Sequence, residues 1–220
     1  LREKPDLIIY KFCKKNKLKT FIFKNINSRE SYKILKKQKC EIFLSISYDQ
    51  IFKKNIILIP KKGIINCHAS KLPEYRGRNV LNWAIINGEK SIGITTHFIN
   101  EKIDDGKIIY QKIYKLKKNI TYIQLLKFLY PRCSKLLYQS TIDILSNKKI
   151  NFIDQSLLST KSFYCRKRTI KDQYIKWNDT SEKINNFIRA LCAPNLYALT
   201  NLDNKKIKIV SARIIKIRLN

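Results

Sequence analysis

Gly63-Ile64-Ile65-Asn66-Cys67-His68 is the stretch on which the fold turns. It is an apolar run of strand length that ends in two polar side chains. The period-2 alternation of a strand places Asn66 and His68 on one face, at the strand's carboxyl end. Working outward, Cys40-Glu-Ile-Phe-Leu-Ser-Ile-Ser47 and Ile92 to Ile99 are further strand-length apolar runs, and Lys19 to Phe23 is a short β-leaning one. Such runs read as buried parallel strands. Separated by helical or irregular crossovers, they predict an α/β sheet.

Ser28 to Lys37 reads as a helix with Ser28 as its cap. Thr121 to about Leu145 reads as a long helix: Thr121 and Gln124 suit a capping box, and Leu126, Leu129, Cys133, Leu137 and Ile144 recur at helical spacing. Pro131 is expected to bend it. Past residue 150 the character changes. Lys183 to Cys192 predicts a short amphipathic helix capped by Asp179 or Thr180. Tyr197 to Leu202 and Lys206 to Val210 flank Asp203-Asn204 as a hairpin. The division expected is a catalytic domain over 1–150 and a small β-rich module over 151–220.

Composition bounds the function. The 220 residues are 44% hydrophobic, enough for a real core. No window is a membrane span, and the N-terminus lacks a secretory layout, so a cytoplasmic globular protein is expected. Lys and Arg number 46 against 16 acids, a formal net charge of +30. Residues 161–220 hold 14 basic and 4 acidic side chains, a density close to that of the rest. There is no discrete basic arm, and a general Lys, Ile and Asn bias accounts for the charge as solvated lysines. The six cysteines are scattered and only two His exist, which argues for reduced thiols and against a zinc set. No Met occurs, so residue 1 is not expected to be the translated start.

The chemistry concentrates between Gly63 and Gly106. An amide donor beside an imidazole, as at Asn66 and His68, suits a reaction that builds charge on oxygen while an amine sheds a proton. In open α/β sheets the carboxyl ends of strands are also where ligands bind. Leu72-Pro73-Glu74-Tyr75-Arg76-Gly77-Arg78-Asn79 reads either as a solvated loop or as an anion-grasping one, with Arg76 and Arg78 chelating phosphate or carboxylate. Asp104, before the Asp105-Gly106 turn, is positioned to approach His68 from a neighbouring strand end and orient it. His97, within Ile92–Ile99, is expected to be structural or supporting.

Asn-x-His, Leu-Pro-x-Tyr-Arg-Gly and a downstream Asp-x-Gly, in this order, resemble the catalytic core of the 10-formyltetrahydrofolate-dependent formyltransferases. Tyr75 to Asn79 followed by Leu81-Asn82-Trp83 is most similar to the sugar N-formyltransferases. So is Phe163-Tyr-Cys-Arg-Lys-Arg-Thr169 with Tyr174-Ile-Lys-Trp177 and Phe187-Ile-Arg189-Ala190. The resemblance implies a Rossmann-like domain with a mostly parallel sheet, plus the C-terminal module. It implies that Asn66 stabilises an oxyanion, His68 acts on the amine proton, and Asp104, not Asp105, supports the relay. Ser47, Tyr48, Asp49 and Gln50 would touch the pterin of 10-formyltetrahydrofolate through backbone groups. Tyr75, Arg76, Arg78 and Trp83 would contact the amine substrate, with no metal required. The implied substrate is an amino sugar carried on a nucleotide; the alternatives are the initiator methionyl-tRNA and an inactive remnant or basic binding protein. A homodimer is compatible with this reading.

The chain departs from the family pattern in two places. The family's first strand and glycine turn are missing before the segment matching residues 1–20, and the loss of this central strand is expected to leave a hole between neighbours. Pro194-Asn-Leu-Tyr197 replaces a Gly-containing segment.

Overall fold

The structure is a computed structural model that describes residues 7–158, 162–192 and 197–215. The N-terminal residues 1–6 and the Pro194–Leu196 departure lie outside the described residues. Helix α1 (Leu7–Lys15) and helix α2 (Arg29–Lys37) come first. Ser28 caps α2, its side chain accepting from the Ser31 N–H. Strand β1 (Phe43–Ser45) is followed by the single turn α3 (Lys54–Ile57) and by β2 (Ile64–His68). Then come β3 (Arg76–Gly77), α4 (Val80–Ile86), β4 (Ser91–Phe98), β5 (Ile108–Lys115) and α5 (Tyr122–Leu145). The remainder is β6 (Tyr164–Cys165), α6 (Ser181–Ala190), β7 (Ala198–Leu202) and β8 (Lys205–Ile209).

The main sheet has the order β1-β2-β4-β5. The parallel pairing expected of it is present between β1 and β2, whereas β2–β4 and β4–β5 run antiparallel. Chain connection is the reason. Only nine residues (99–107) link β4 to β5, too few for a parallel crossover. The link from β2 to β4 contains just the seven-residue α4, about 10 Å of helix. That helix packs on α5 and α6 instead of running back along the sheet. The chain therefore re-enters from the end at which it left.

Lys19–Phe23 is not a strand: its residues enter no ladder among those described. Propensity alone does not make a strand; a ladder with a second strand does. Among the described residues β1 is the terminal strand of the sheet, and Leu44 on it is 48% exposed.

Two apolar clusters hold α5 against the sheet. Leu125 and Leu129 pack with Ile92, Ile94 and the α4 residues Leu81, Ala84 and Ile85, while Leu137 packs with Ile65 and Ile109. Helix α5 starts in the expected capping box and continues through Pro131 as one element. A third cluster joins Ile188 and Leu191 to Ile175 and Ala198, and organises the C-terminal module. There, Thr180 is the cap of α6, and β7–β8 is the expected hairpin. Asp203 and Asn204 both have positive φ (47° and 61°), as the turn that follows strand twist requires. All six cysteines are free thiols. Among the described residues no helix is long and apolar enough to cross a membrane.

Candidate active site

Strand β2 delivers Asn66 and His68 to one face, as the alternation predicts. Register then adds a third side chain. Asn66 lies directly opposite His97 on β4, and opposed residues of an antiparallel pair share a face at close range. Asn66 Nδ2 is 3.2 Å from His97 Nε2. A register shift between Thr96 and His97 marks the same point of the β4–β5 ladder.

Asp104 comes from the β4–β5 connection and closes the cluster. Its Oδ1 is 3.4 Å from Asn66 Nδ2 and 3.5 Å from His97 Nε2. Its Oδ2 is 3.6 Å from His68 Nδ1 and accepts the Gly77 N–H at 2.9 Å. Two further contacts assign the imidazole protons. His68 Nε2 donates to the Tyr75 carbonyl and His97 Nδ1 to the Phe98 carbonyl, both at 2.8 Å. A carbonyl can only accept, so the nitrogens facing Asp104 are the ones that gain or lose a proton.

Burial would raise the carboxyl pKa of Asp104. The hydrogen bond with His97, the charges of His68 and His97 and the Gly77 N–H outweigh it, holding the pKa down to about 2. For His68 burial is the largest influence and lowers the pKa below its ordinary value. The nearby Asp104 and the Tyr75 carbonyl oppose this, and His97 adds to it. The arrangement at neutral pH is an ionised Asp104, held by the Gly77 N–H and the Asn66 amide, facing a neutral His68. This is a base ready to accept a proton at Nδ1, with its counter-charge in place.

Gly77 is required at its position. Its φ is +95°, and a Cβ there would sit 2.4 Å from the Cys165 carbonyl oxygen. The close β3–β6 pairing thus depends on the same residue whose N–H holds Asp104.

The predicted substrate loop divides in two. Tyr75 and Arg76, expected to meet a substrate, are turned inward. Tyr75 donates its hydroxyl to Glu89 at 2.7 Å, and its ring meets Phe163 edge-on. Arg76 is 6% exposed and fully partnered, by Asp105 Oδ1 at 2.6 Å and by Gln155 Oε1 at 2.7 and 3.2 Å. A desolvated guanidinium takes the nearest carboxylate, and here Asp105 supplies it. Arg78, by contrast, is exposed, and its Nη2 donates to the Asp49 carbonyl at 2.6 Å. Trp83 is half-buried. Its Nε1 donates to the Arg166 carbonyl, and the guanidinium carbons of Arg168 and Arg166 lie 5.0 and 5.6 Å from its ring centre.

The Ser47–Gln50 loop follows β1. Ser47 has a left-handed φ of 49°. Gln50 ties the loop to residues 24–26 through the Lys24 carbonyl and the Ile26 N–H. Among the described residues the buried Tyr48 hydroxyl meets no hydrogen-bond partner. It is an orphan polar group in the segment expected to meet the pterin, and a pteridine edge carries donors and acceptors that suit it. Through Arg78 and Asp49 this loop is linked to the Arg76–Arg78 segment. Among the described residues no group of three or more His, Cys, Asp or Glu is arranged to hold a metal ion.

Sequence reasoning missed the proximity of His97 to Asn66 and all of Gln155. The first was discoverable from register; the second carries no local signal.

Comparison with known proteins places this geometry in context. Residues 7–138 match the family described as Formyl transferase, and residues 168–219 match the Formyl transferase C-terminal domain. The chain is 40% identical over 202 residues to a bifunctional polymyxin resistance protein ArnA of Wigglesworthia glossinidia brevipalpis, covering 91% of this chain and 30% of that protein. It is 38% identical over 189 residues to a methionyl-tRNA formyltransferase of Clostridium tetani, covering 86% of this chain and 60% of the relative. A solved N-formyltransferase from Helicobacter canadensis, in complex with folinic acid and dTDP-3-aminofucose, superposes with a TM-score of 0.63. It is 27% identical and covers 76% of this chain and 60% of its own. The chain thus spans less than two thirds of the length of each of these three relatives.

Proposed function

The chain belongs to the formyl transferase family, and from that premise we propose that it transfers a formyl group from 10-formyltetrahydrofolate to the primary amine of a nucleotide-linked amino sugar. The observation that carries this reading is the convergence of Asn66, His68 and His97 on Asp104 at the carboxyl end of β2. The sugar assignment draws on the Helicobacter canadensis relative, whose structure holds a dTDP-amino sugar.

In this mechanism the amine nitrogen attacks the formyl carbon, and a C–N bond forms as the carbonyl oxygen becomes an oxyanion. The amide of Asn66 donates to that oxygen. The amine proton passes to Nδ1 of His68, whose new charge is matched by Asp104. The bond from carbon to the folate nitrogen then breaks, and the folate nitrogen takes up the proton. The products are the formamide and tetrahydrofolate. Holding donors and counter-charge in place before the reaction supplies most of the acceleration. Arg78, which is exposed, would meet a phosphate of the nucleotide. The Ser47–Gln50 loop would hold the pterin, with the Tyr48 hydroxyl as one polar contact. The reaction is assigned to the cytoplasm, where the thiols stay reduced.

A second reading, formylation of the initiator methionyl-tRNA, is favoured by the net charge of +30 and by the Clostridium tetani relative. The two separate experimentally. Purified protein is given 10-formyltetrahydrofolate with a dTDP-amino sugar or with charged initiator tRNA, with His68→Ala as control. The expected result is formylated sugar, with a KM for the sugar nucleotide that changes little between 50 and 200 mM salt. A tRNA substrate would instead show a steep salt dependence, on the order of 10³-fold or more for six phosphate contacts. Turnover of tRNA alone overturns the sugar assignment. Absence of turnover with either overturns the reaction.

A further inference from the structure

We propose that Gln155 is a positioning residue for the reaction, holding the main chain around Asp104 so that its carboxylate faces both histidines. The inference rests on the catalytic reading given above and extends it to a residue outside the β2–β5 sheet.

Asp104 has φ +49°, a left-handed conformation that a residue with a side chain adopts only at a cost in strain. Something must hold it there. Gln155 is 3% exposed and uses every hydrogen-bonding position of its amide on this task. Nε2 donates to the Asp104 carbonyl at 3.0 Å and to the Gly106 carbonyl at 2.8 Å. Oε1 accepts from Arg76 Nε and Nη2. Arg76 in turn grips Asp105 through Nη1. Residues 104, 105 and 106 are therefore each held by one connected buried network.

The network is anchored at its far end. Gln155 opens a short 3-10 turn (Gln155–Leu157), two residues past Ile153. Ile153 exchanges a pair of backbone hydrogen bonds with Ile108 at the start of β5, at 2.8 and 3.0 Å. The turn is thus pinned to the sheet that also carries His97. Fully satisfied buried networks fix one geometry, and half-satisfied ones are costly. Asp104 acts on the substrate's proton through His68, so Gln155 acts at one remove.

Gln155→Glu separates the roles of the two amide atoms. Glutamate has nearly the same shape and still accepts from Arg76, but in its ionised form it offers no hydrogen to the Asp104 and Gly106 carbonyls. The chain contains only two histidines, and both face Asp104. Their imidazole NMR signals, assigned with His68→Gln and His97→Gln, therefore report the carboxylate's position independently of turnover. The groups facing His68 that enter this titration are Asp104 and His97.

The expected result for folded Gln155→Glu is a changed pH titration of the His68 signal. It is accompanied by a fall in kcat on the order of 10- to 100-fold, the scale of an ångström-sized misplacement. KM for 10-formyltetrahydrofolate should change less than about twofold, the signature of an interaction used only in the transition state. If Gln155→Glu does not fold, Gln155→Asn gives the same reading, being too short to reach both carbonyls and Arg76 together. A His68 titration identical to wild type in a folded variant overturns the proposal. A shifted titration in a protein whose wild type transfers no formyl group leaves Gln155 positioning Asp104 and overturns the catalytic reading instead.

Discussion

Asp104 is ionised because groups from three parts of the chain face it: Asn66 and His68 on β2, His97 on β4, and the Gly77 N–H on β3. Replacing it by Asn keeps the shape and removes the charge that balances protonated His68. Steady-state kinetics of Asp104→Asn should show kcat/KM reduced on the order of 100-fold or more, the usual worth of positioned acid–base support. The pKa of His68 lies below its ordinary 6.5 in the folded protein. As pH falls through 6.5 the unfolded chain takes up this proton first, so the folded state loses stability from there down to the lower folded pKa. Denaturant unfolding between pH 7 and pH 5 should therefore show falling stability, with a shallower slope in His68→Gln. Asn66, His68 and Asp104 were all legible in the sequence, because strand alternation and the Asp-x-Gly turn place them without knowledge of the whole fold. Arg76 was not. Arginine in a Gly-bearing loop suits an anion from outside, and only the position of Asp105 turned it inward.

At the scale of elements, short pieces do much of the positioning. The two-residue β3 sits against β6 through Gly77, whose absent side chain leaves room for the Cys165 carbonyl. Gly77→Ala would incur the left-handed penalty of roughly 1–2 kcal/mol and a clash with backbone besides. Thermal unfolding should show at least that loss, and formyl transfer should fall with it because the N–H held on Asp104 moves. The helix caps were readable from sequence: Ser28, Thr121 and Thr180 occupy the cap positions. These signals are local, and the hydrogen bonds they make span three residues. Lys19–Phe23 shows the opposite case, since a strand exists only when a second strand meets it.

Across the whole molecule, the segment after α5 and the C-terminal module are tied to the preceding residues at several places, among them the β3–β6 pairing and the Ile108–Ile153 bridge. Gln155 enters the site, and Asn82 of α4, fully buried, donates to the Ala190 carbonyl at the end of α6 at 2.7 Å. Asn82→Ala would remove that buried hydrogen bond, at a cost of about 1–3 kcal/mol. Hydrogen exchange should show α6 opening more readily in this variant while the amides of β4 keep their protection. The proposed division at residue 150 is thus crossed by hydrogen bonds at several places, and the second half supplies part of what holds the site.

Sequence by itself determined the features set by neighbours along the chain: strand alternation that pairs Asn66 with His68, helix caps, the Asp203-Asn204 turn and the family motif. Each depends on interactions a few residues apart, so spacing records it. The tertiary structure alone decided the direction of the sheet's central pairs, the inward turn of Tyr75 and Arg76, the meeting of His97 with Asn66, and the role of Gln155. Those depend on which distant segments come within hydrogen-bonding distance. That is settled by burial and by competition for partners over the whole chain, and no local pattern encodes it.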